Sequence, residues 1–454
     1  MSSHQMEDKI LSIIEEKKEE IIELLRTLIR IPSLTGEEGA AQEFFAHYLK
    51  NVGMDINMWE PDIQEIFTKF PEVAQYPSHW MHDLILPYKG LASYDELIET
   101  GKIEILNYKD RPNVVATWKG RGGGKSLLLT GHIDNVTVEP KSEWNDDPFG
   151  AGLHDGKIYG RGSSDMKGGL IAAISAIQCL IEAGVSLKGD VLFASVVNEE
   201  HSGNGTLSMV CKGIKTDAAI VTEPSGNQIF IATPGDVYWH ATLRGIPRSP
   251  GARWEGQKMV GVSAIEKLPL IIKSLLDLET DHNRMSPHPL YAEKNPFSCV
   301  IGEVSGGTYT TVTAHQCSLR GCIYFSPGIG SVKDIMDQIK EYIEKGTQAD
   351  PWFKDHPVET SFLHHRNCSV VDKNQPIVKT IYDSTRMASN KTPVVIGSPY
   401  CADMDILVNQ GKIPTVIVGP GSIAYAHKAN ECIPIDEMIA CVKTLALAIY
   451  KWCG

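Results

Sequence analysis

Residues 126–134 read SLLLTGHID. An unbroken apolar run of this length, closed by polar residues, is the pattern of a strand buried on both faces. The pattern returns at 190–197 (DVLFASVV), 217–222 (DAAIVT) and 414–418 (PTVIV). Between the first two strands, 164–183 is helical, opened by Gly168-Gly169 and continued by LIAAISAIQCLI. A further helix is expected at 435–452. Strands alternating with helices imply an α/β fold, with a mixed, mostly parallel sheet between helices.

Working outward, Ile10, Ile13, Ile14, Ile21, Ile22, Leu24, Leu25 and Leu28 recur at helical spacing over 7–31, and Pro32 marks the stop. Residues 33–38 read as a turn and cap for a second helix running through Leu49. The stretch 55–110 holds many aromatics and prolines without a clean period, and reads as an ordered, mostly irregular insertion. From 235 to 366 the texture changes. A strand (236–243), a helix (259–278), two strands (298–304 and 310–325), a helix (332–344) and a strand (358–365) give the order βαββαβ, a ferredoxin-like module. The expected organisation is a discontinuous domain, 1–234 with 367–454, interrupted by an inserted domain at 235–366.

The 454 residues carry 43 Lys+Arg against 56 Asp+Glu, a formal net charge of −13, with 42% apolar and 22% charged residues. That is the composition of a globular protein, not a disordered chain. An acidic chain without a long basic block argues against nucleic-acid or anionic-membrane binding. No apolar run is expected to reach the length of a membrane span. Nine of the first twenty residues are charged and no apolar signal core follows, so export is not expected. Ten cysteines occur without a C-x-x-C pair. Several lie in apolar stretches, as buried reduced thiols of a cytoplasmic protein do.

Ligand sites in open α/β sheets form beyond the carboxyl ends of strands. The first strand ends in Gly131-His132-Ile133-Asp134, and the segment GRGSSDMKGG holds Asp165 before its helix. The next strands end in Asn198-Glu199-Glu200 and Glu223-Pro224, and the last is followed by Gly419-Pro420-Gly421 and then His427. His132, Asp165, Glu200, Glu223 and His427 thus gather at one sheet edge. Imidazoles with carboxylates are the donor set of Zn²⁺, with Co²⁺ or Mn²⁺ as substitutes. Two histidines and three carboxylates can hold two ions if one carboxylate bridges. Glu199 points away from its neighbour Glu200, and is placed to take a proton from water and pass it to a leaving amine. Asp134 lies on the same side as His132 and can hold its second ring nitrogen.

The stretches LLLTGHIDNV, WNDDPFGAGLHDGKIYGRGSSDMKGGL, VVNEEHSGNGTL, AAIVTEPSG and VGPGSIAYAHKANE resemble, in this order, the co-catalytic zinc amidohydrolases and metallopeptidases. That family includes acetylornithine deacetylase, succinyl-diaminopimelate desuccinylase, aminoacylase and glutamate carboxypeptidase. The insertion before RPNVVATWKG resembles the longer, acetylornithine-deacetylase-like branch. The resemblance implies two Zn²⁺ per subunit, with His132 and His427 on different ions and Asp165 bridging. Glu200 would complete one ion and Glu223 the other, with Glu199 as general base and Asp134 behind His132. It also implies a cis peptide at Asp165–Met166 and a lid at 235–366 that mediates homodimerisation.

Two departures stand out. The family places a His four residues after a Gly that follows the lid's first strand, where it stabilises an oxyanion. Here Gly245 is followed at that spacing by Ser249, and the adjacent cation is Arg248. Many relatives also bring an Arg to the substrate carboxylate two or three residues before a Pro, where this chain has Tyr324 ahead of Pro327. Residues 398–405 (SPYCADMD) sit where relatives face substrate, which makes Cys401 and Asp403 lining candidates beside Arg248 and Ser249. The expected activity is hydrolysis of the amide bond of an N-acyl amino acid or related N-acyl amine. The alternative is a dipeptidase or carboxypeptidase acting on short peptides. A silent binding protein has only the missing lid His in its favour.

Overall fold

The structure is a computed structural model that describes residues 2–73, 108–285, 288–291, 297–389 and 391–454. The chain forms two compact units. One comprises Met1–Ala232, Val370–Ser398 and Ala402–Gly454, and the other Thr233–Ser369 with Pro399–Cys401.

The first unit is built on a nine-stranded mixed sheet. From one edge the order is Asp55–Trp59, Asn113–Trp118, Val191–Val196, Leu127–His132, Ala218–Val221, Thr415–Ile417, Ile229–Thr233 and Ser369–Val370, with Val395–Gly397 also paired to Ile229–Thr233. The centre is parallel: Leu127–His132 pairs in parallel with Val191–Val196 and Ala218–Val221, and Thr415–Ile417 continues the block. Antiparallel pairs flank it. Leu127–His132 is buried along its whole length, which its unbroken apolar run requires. The register aligns His132 with Val196 and Thr130 with Val221. Parallel pairing therefore brings the residues following three strands to the same edge.

Helices Gly168–Glu182 and Ile435–Cys453 pack on each other and on Ser3–Glu16. Ser163–Glu182 is long and apolar enough to cross a membrane, contrary to the expectation of no such run, but 89% of it is buried inside the unit. A core helix packed on all sides shows the same composition as a spanning one. The single helix expected over 7–31 is two helices, Ser3–Glu16 and Lys18–Ile29, because Lys17 leaves helical geometry (φ −94°, ψ 6°). The insertion expected to be irregular begins with an edge strand, Asp55–Trp59, and a helix, Ile63–Lys69, capped by Asp62. None of that strand's residues is buried, and its alternation (Asp55-Ile56-Asn57-Met58) is too short to stand out. The remainder of the expected insertion, 74–107, lies outside the described residues.

The second unit follows the order βαββαβ. Its antiparallel sheet runs Ser298–Gly306, Gln316–Phe325, Gly235–Arg244 and Glu359–Arg366. Helices Ala264–Asn283 and Val332–Thr347 cover one face, burying Val237, Trp239, Ala241, Leu319, Ile323, Ile271, Leu275 and Ile339. The first helix starts at Ala264 rather than 259, because Lys258–Met259 pairs with Trp254–Glu255 in a hairpin. The third strand starts at Gln316 rather than 310. Thr313 instead closes a turn, its hydroxyl donating to the Ile246 carbonyl (2.7 Å) and accepting the Arg248 N–H (2.8 Å).

Candidate metal centre and hydrolytic site

His132 is carried to the sheet edge by its strand and is held there by a close approach. A side chain at Gly131 would run into the Met166 thioether, whose sulfur also lies 3.1 Å from the His132 N–H. Asp165 follows a turn that needs a left-handed residue, Gly162 (φ +82°), and the Asp165–Met166 peptide is cis. His427 itself is left-handed (φ +58°), as is Asn198 (φ +64°) just before the two glutamates. Non-glycine residues in that region cost about 1 kcal/mol or more and are kept where surrounding structure fixes them.

Asp165 turns its two oxygens to two different histidines. Oδ1 lies 3.1 Å from His132 Nε2 and Oδ2 lies 3.3 Å from His427 Nε2. On one side Glu223 Oε1 stands 3.5 Å from His132 Nε2, and on the other Glu200 Oε2 stands 2.9 Å from His427 Nε2. Glu199 Oε2 lies 3.9 Å from His132 Nε2. Donor atoms of His132, Glu199 and Glu223, and of His132, Asp165 and Glu200, lie close enough together to hold a cation.

The Asp134 carboxylate accepts the Glu199 N–H (3.0 Å), the Glu200 N–H (3.2 Å) and the Thr35 hydroxyl (2.8 Å). His132 Nδ1 meets the backbone carbonyl of Asp134 at 2.9 Å, and its carboxylate only at 3.6 Å. Asp134 thus holds the imidazole through its backbone carbonyl and the glutamate pair through its carboxylate.

Five carboxylates, Asp134, Asp165, Glu199, Glu200 and Glu223, face two imidazoles, the buried His132 and the half-exposed His427. Burial pulls the His132 imidazole down, but Glu223, Asp165, Glu199 and Asp134 outweigh it and raise its pKa well above the usual value. His427 is pushed up to about 12, first by Glu200. Burial and the neighbouring carboxylates raise Glu223, whereas the two histidines hold Asp165 well below the usual range against the effect of its burial. The cluster is short of positive charge, and its donors are of the kinds that bind divalent transition metals.

Sequence reasoning assigned no role to the network behind these groups. Glu431, fully buried, accepts the N–H groups of Ser164 (2.9 Å) and Asp165 (3.0 Å) on one oxygen. Its other oxygen accepts the Gly162 N–H (3.1 Å) and Arg161 (2.7 Å). Glu38 and Arg111 form a second buried pair with two bonds of 2.6 and 2.7 Å. Glu431 closes the quoted HKANE motif, and that position was the only available signal.

Of the substrate-lining candidates, Asp403 is buried beside this sheet, with its carboxylate accepting the Thr206 hydroxyl at 2.5 Å. The other three belong to the second unit. Arg248 and Ser249 are exposed there, Arg248 bonding the Pro247 carbonyl (3.0 Å) and lining a cavity of about 730 Å³ with Arg253, Tyr309 and Thr311. Cys401 donates its thiol to the Pro234 carbonyl (3.4 Å). Tyr324 is half-buried opposite Asp236. All ten cysteines are free thiols.

Residues 128–451 match the sequence profile of peptidase family M20/M25/M40. The chain is 28% identical to N-formyl-4-amino-5-aminomethyl-2-methylpyrimidine deformylase of Halalkalibacterium halodurans, over 98% of this chain and 97% of that protein. It is 28% identical to acetylornithine deacetylase of Buchnera aphidicola, over 77% of this chain and 87% of that protein. Among solved structures, the di-peptidase Dug1p of Saccharomyces cerevisiae superimposes with a TM-score of 0.72 at 15% identity, covering 100% of this chain and 99% of that one.

Proposed function

We propose that this chain, which belongs to peptidase family M20/M25/M40, is a metal-dependent hydrolase that removes a short acyl group from an amine, an N-formyl amine in particular. The observation that carries the reading is the Asp165 carboxylate, set between His132 and His427 with one oxygen toward each. That is the geometry of a bridging ligand. His132 with Glu223 supplies the donors on one side, and His427 with Glu200 those on the other.

The donor set fits two Zn²⁺, with Co²⁺ or Mn²⁺ as substitutes. Bound there, such ions supply polarisation of the amide carbonyl and bring the pKa of water to about 7. The chain's own contribution is proton transfer and orientation. Glu199 takes the proton from the attacking water and hands it to the departing amine, and a group so placed contributes roughly 10²–10⁴-fold. Asp134 holds the Glu199 and Glu200 backbone through their N–H groups, so the base and its neighbouring ligand keep a fixed relation.

The choice of an N-formyl amine rests on two supports. Similarity to the deformylase runs over nearly the full length of both chains. Tyr324 stands where relatives acting on amino-acid derivatives bring an Arg to the substrate carboxylate, so a substrate lacking that carboxylate suits this chain better.

In this reading 1–234 with 367–454 is the catalytic domain, and 235–366 is a lid through which two copies associate. Ser298–Gly306 is an edge strand of the second unit and exposes Val300 and Val304 by more than half, an unpaired row of the kind that seeks a partner strand. A cytoplasmic location agrees with ten free thiols. Purified protein given Zn²⁺, Co²⁺ or Mn²⁺ and matched N-formyl, N-acetyl and N-succinyl amines and dipeptides tests the reading. Preferred release of formate supports it; turnover of dipeptides alone favours a peptidase instead.

A further inference from the structure

We propose that Arg161 and Glu431 form a positioning pair that sets the spacing of His427 and Asp165, and with it the affinity of the site for divalent ions. The proposal rests on the metal-centre reading above and concerns residues that contact neither ion nor substrate in it.

The pair ties together three segments of the first unit that carry the candidate ligands. Glu431 receives four donors, two on each oxygen, which uses the accepting capacity of a carboxylate. One of them is the N–H of Asp165 itself, and Glu431 lies four residues after His427 in the same loop. Arg161 completes the link. Its Nε and one terminal nitrogen both donate to the Thr137 carbonyl (3.1 and 2.8 Å), in the segment that follows His132. The nitrogen that meets Glu431 also approaches the Lys428 carbonyl (3.4 Å), next to His427. The guanidinium packs over the Trp144 ring, 5.1 Å from its centroid. Both side chains are almost wholly buried.

A buried charged pair is weak evidence for stability on its own, since its desolvation offsets most of the attraction. The directions of these bonds are the informative feature. Three of the four donors on Glu431 are backbone N–H groups of the loop that presents Asp165, and the two carbonyls that accept from Arg161 belong to Thr137, in the segment after His132, and Lys428, next to His427. Partners of this kind behind metal ligands typically affect affinity or activity by roughly 10–100-fold when removed.

The test uses Zn²⁺ as the probe, measured by chelator competition on metal-free full-length protein held below its thermal midpoint, with near-UV circular dichroism reporting the fold. Glu431→Gln keeps the shape but turns an amide N–H₂ toward backbone N–H donors. We expect a loss of Zn²⁺ affinity of roughly 10–100-fold in the folded protein. Arg161→Lys keeps the charge but loses the fork on Thr137, and a smaller loss in the same direction is expected. If Glu431→Gln does not fold, Arg161→Lys alone decides. Folded variants with affinity within about twofold of the parent overturn the pair's role, even if their thermal midpoints fall, because a purely structural tie lowers the midpoint without moving the affinity. A parent protein that takes up no divalent ion removes the proposal together with the metal reading.

Discussion

The Asp134 carboxylate accepts the backbone N–H of Glu199 at 3.0 Å and shares the same group with the Glu200 N–H. One acidic side chain thereby fixes the backbone of a proposed base and of a proposed ligand. Asp134→Asn replaces one accepting oxygen with a donor that faces those N–H groups. The expected outcome is a drop of roughly 10–100-fold in kcat, with the protein still folded. Steady-state kinetics with circular dichroism checks it, and unchanged kcat would contradict the anchoring role.

Gly131 is the residue that lets the strand bearing His132 lie against Met166. A methyl group there has no room unless the thioether moves. Gly131→Ala is expected to destabilise the protein by about 1–3 kcal/mol, the usual cost of overpacking a core. Paired with Met166→Ala, which opens the space, it should lose much less than the two single changes added together. Urea unfolding of the four proteins measures that coupling; simple additivity would show that the contact does not decide the cost.

Asp236, almost wholly buried in the second unit, has its carboxyl pushed up to about 6 by burial, which the Arg366 cation and the Cys401 thiol only partly offset. His364 Nε2 stands 3.7 Å away. In the unfolded chain the group titrates near 3.9. Between these values the native state holds a proton that the unfolded state has released, so stability falls as pH rises from about 4 to 6, by about 3 kcal/mol for this group. Asp236→Asn cannot ionise and should lack that share of the slope. The difference in unfolding free energy between parent and variant should therefore change across pH 4.5 to 6.5; a constant difference contradicts the assignment.

The edge strand Ser298–Gly306 leads to a prediction about assembly. Replacing both Val300 and Val304 with Lys puts charge on the exposed edge, a common way of blocking strand addition. The parent should sediment as a dimer and the double variant as a monomer. A parent that is monomeric at micromolar concentration refutes association through this strand.

The central strands and the residues at their ends were legible in the sequence for a physical reason. A strand buried on both faces must be mostly apolar, so ionisable side chains at its end are conspicuous, as with His132, Glu199 and Glu223. Parallel pairing then places those side chains at one edge without any further information. The edge strand Asp55–Trp59 was not legible, because it is short and only Ile56 and Trp59 are even partly buried. Only Met259, the last residue of the Trp254–Met259 hairpin, falls in the helix expected over 259–278, since the short apolar run around it suits either element. Glu431 and Arg161 escaped assignment because a carboxylate that receives backbone N–H groups depends on where the chain returns, and no spacing in the sequence encodes that. Asp134 was recognised as important, but its bonds to the glutamate backbone appear only in three dimensions.

Glu199 is the residue on which the hydrolytic reading turns. Its Oε2 lies 3.9 Å from His132 Nε2, and its proposed role is proton transfer, with ion retention left to the other five residues. The measurement is kcat and bound metal for Glu199→Gln beside the parent, on an N-formyl amine that the parent hydrolyses. The expected result is a loss in kcat of roughly 10²–10⁴-fold with metal content unchanged. A variant that keeps kcat within a few-fold of the parent, with its metal in place, would contradict it.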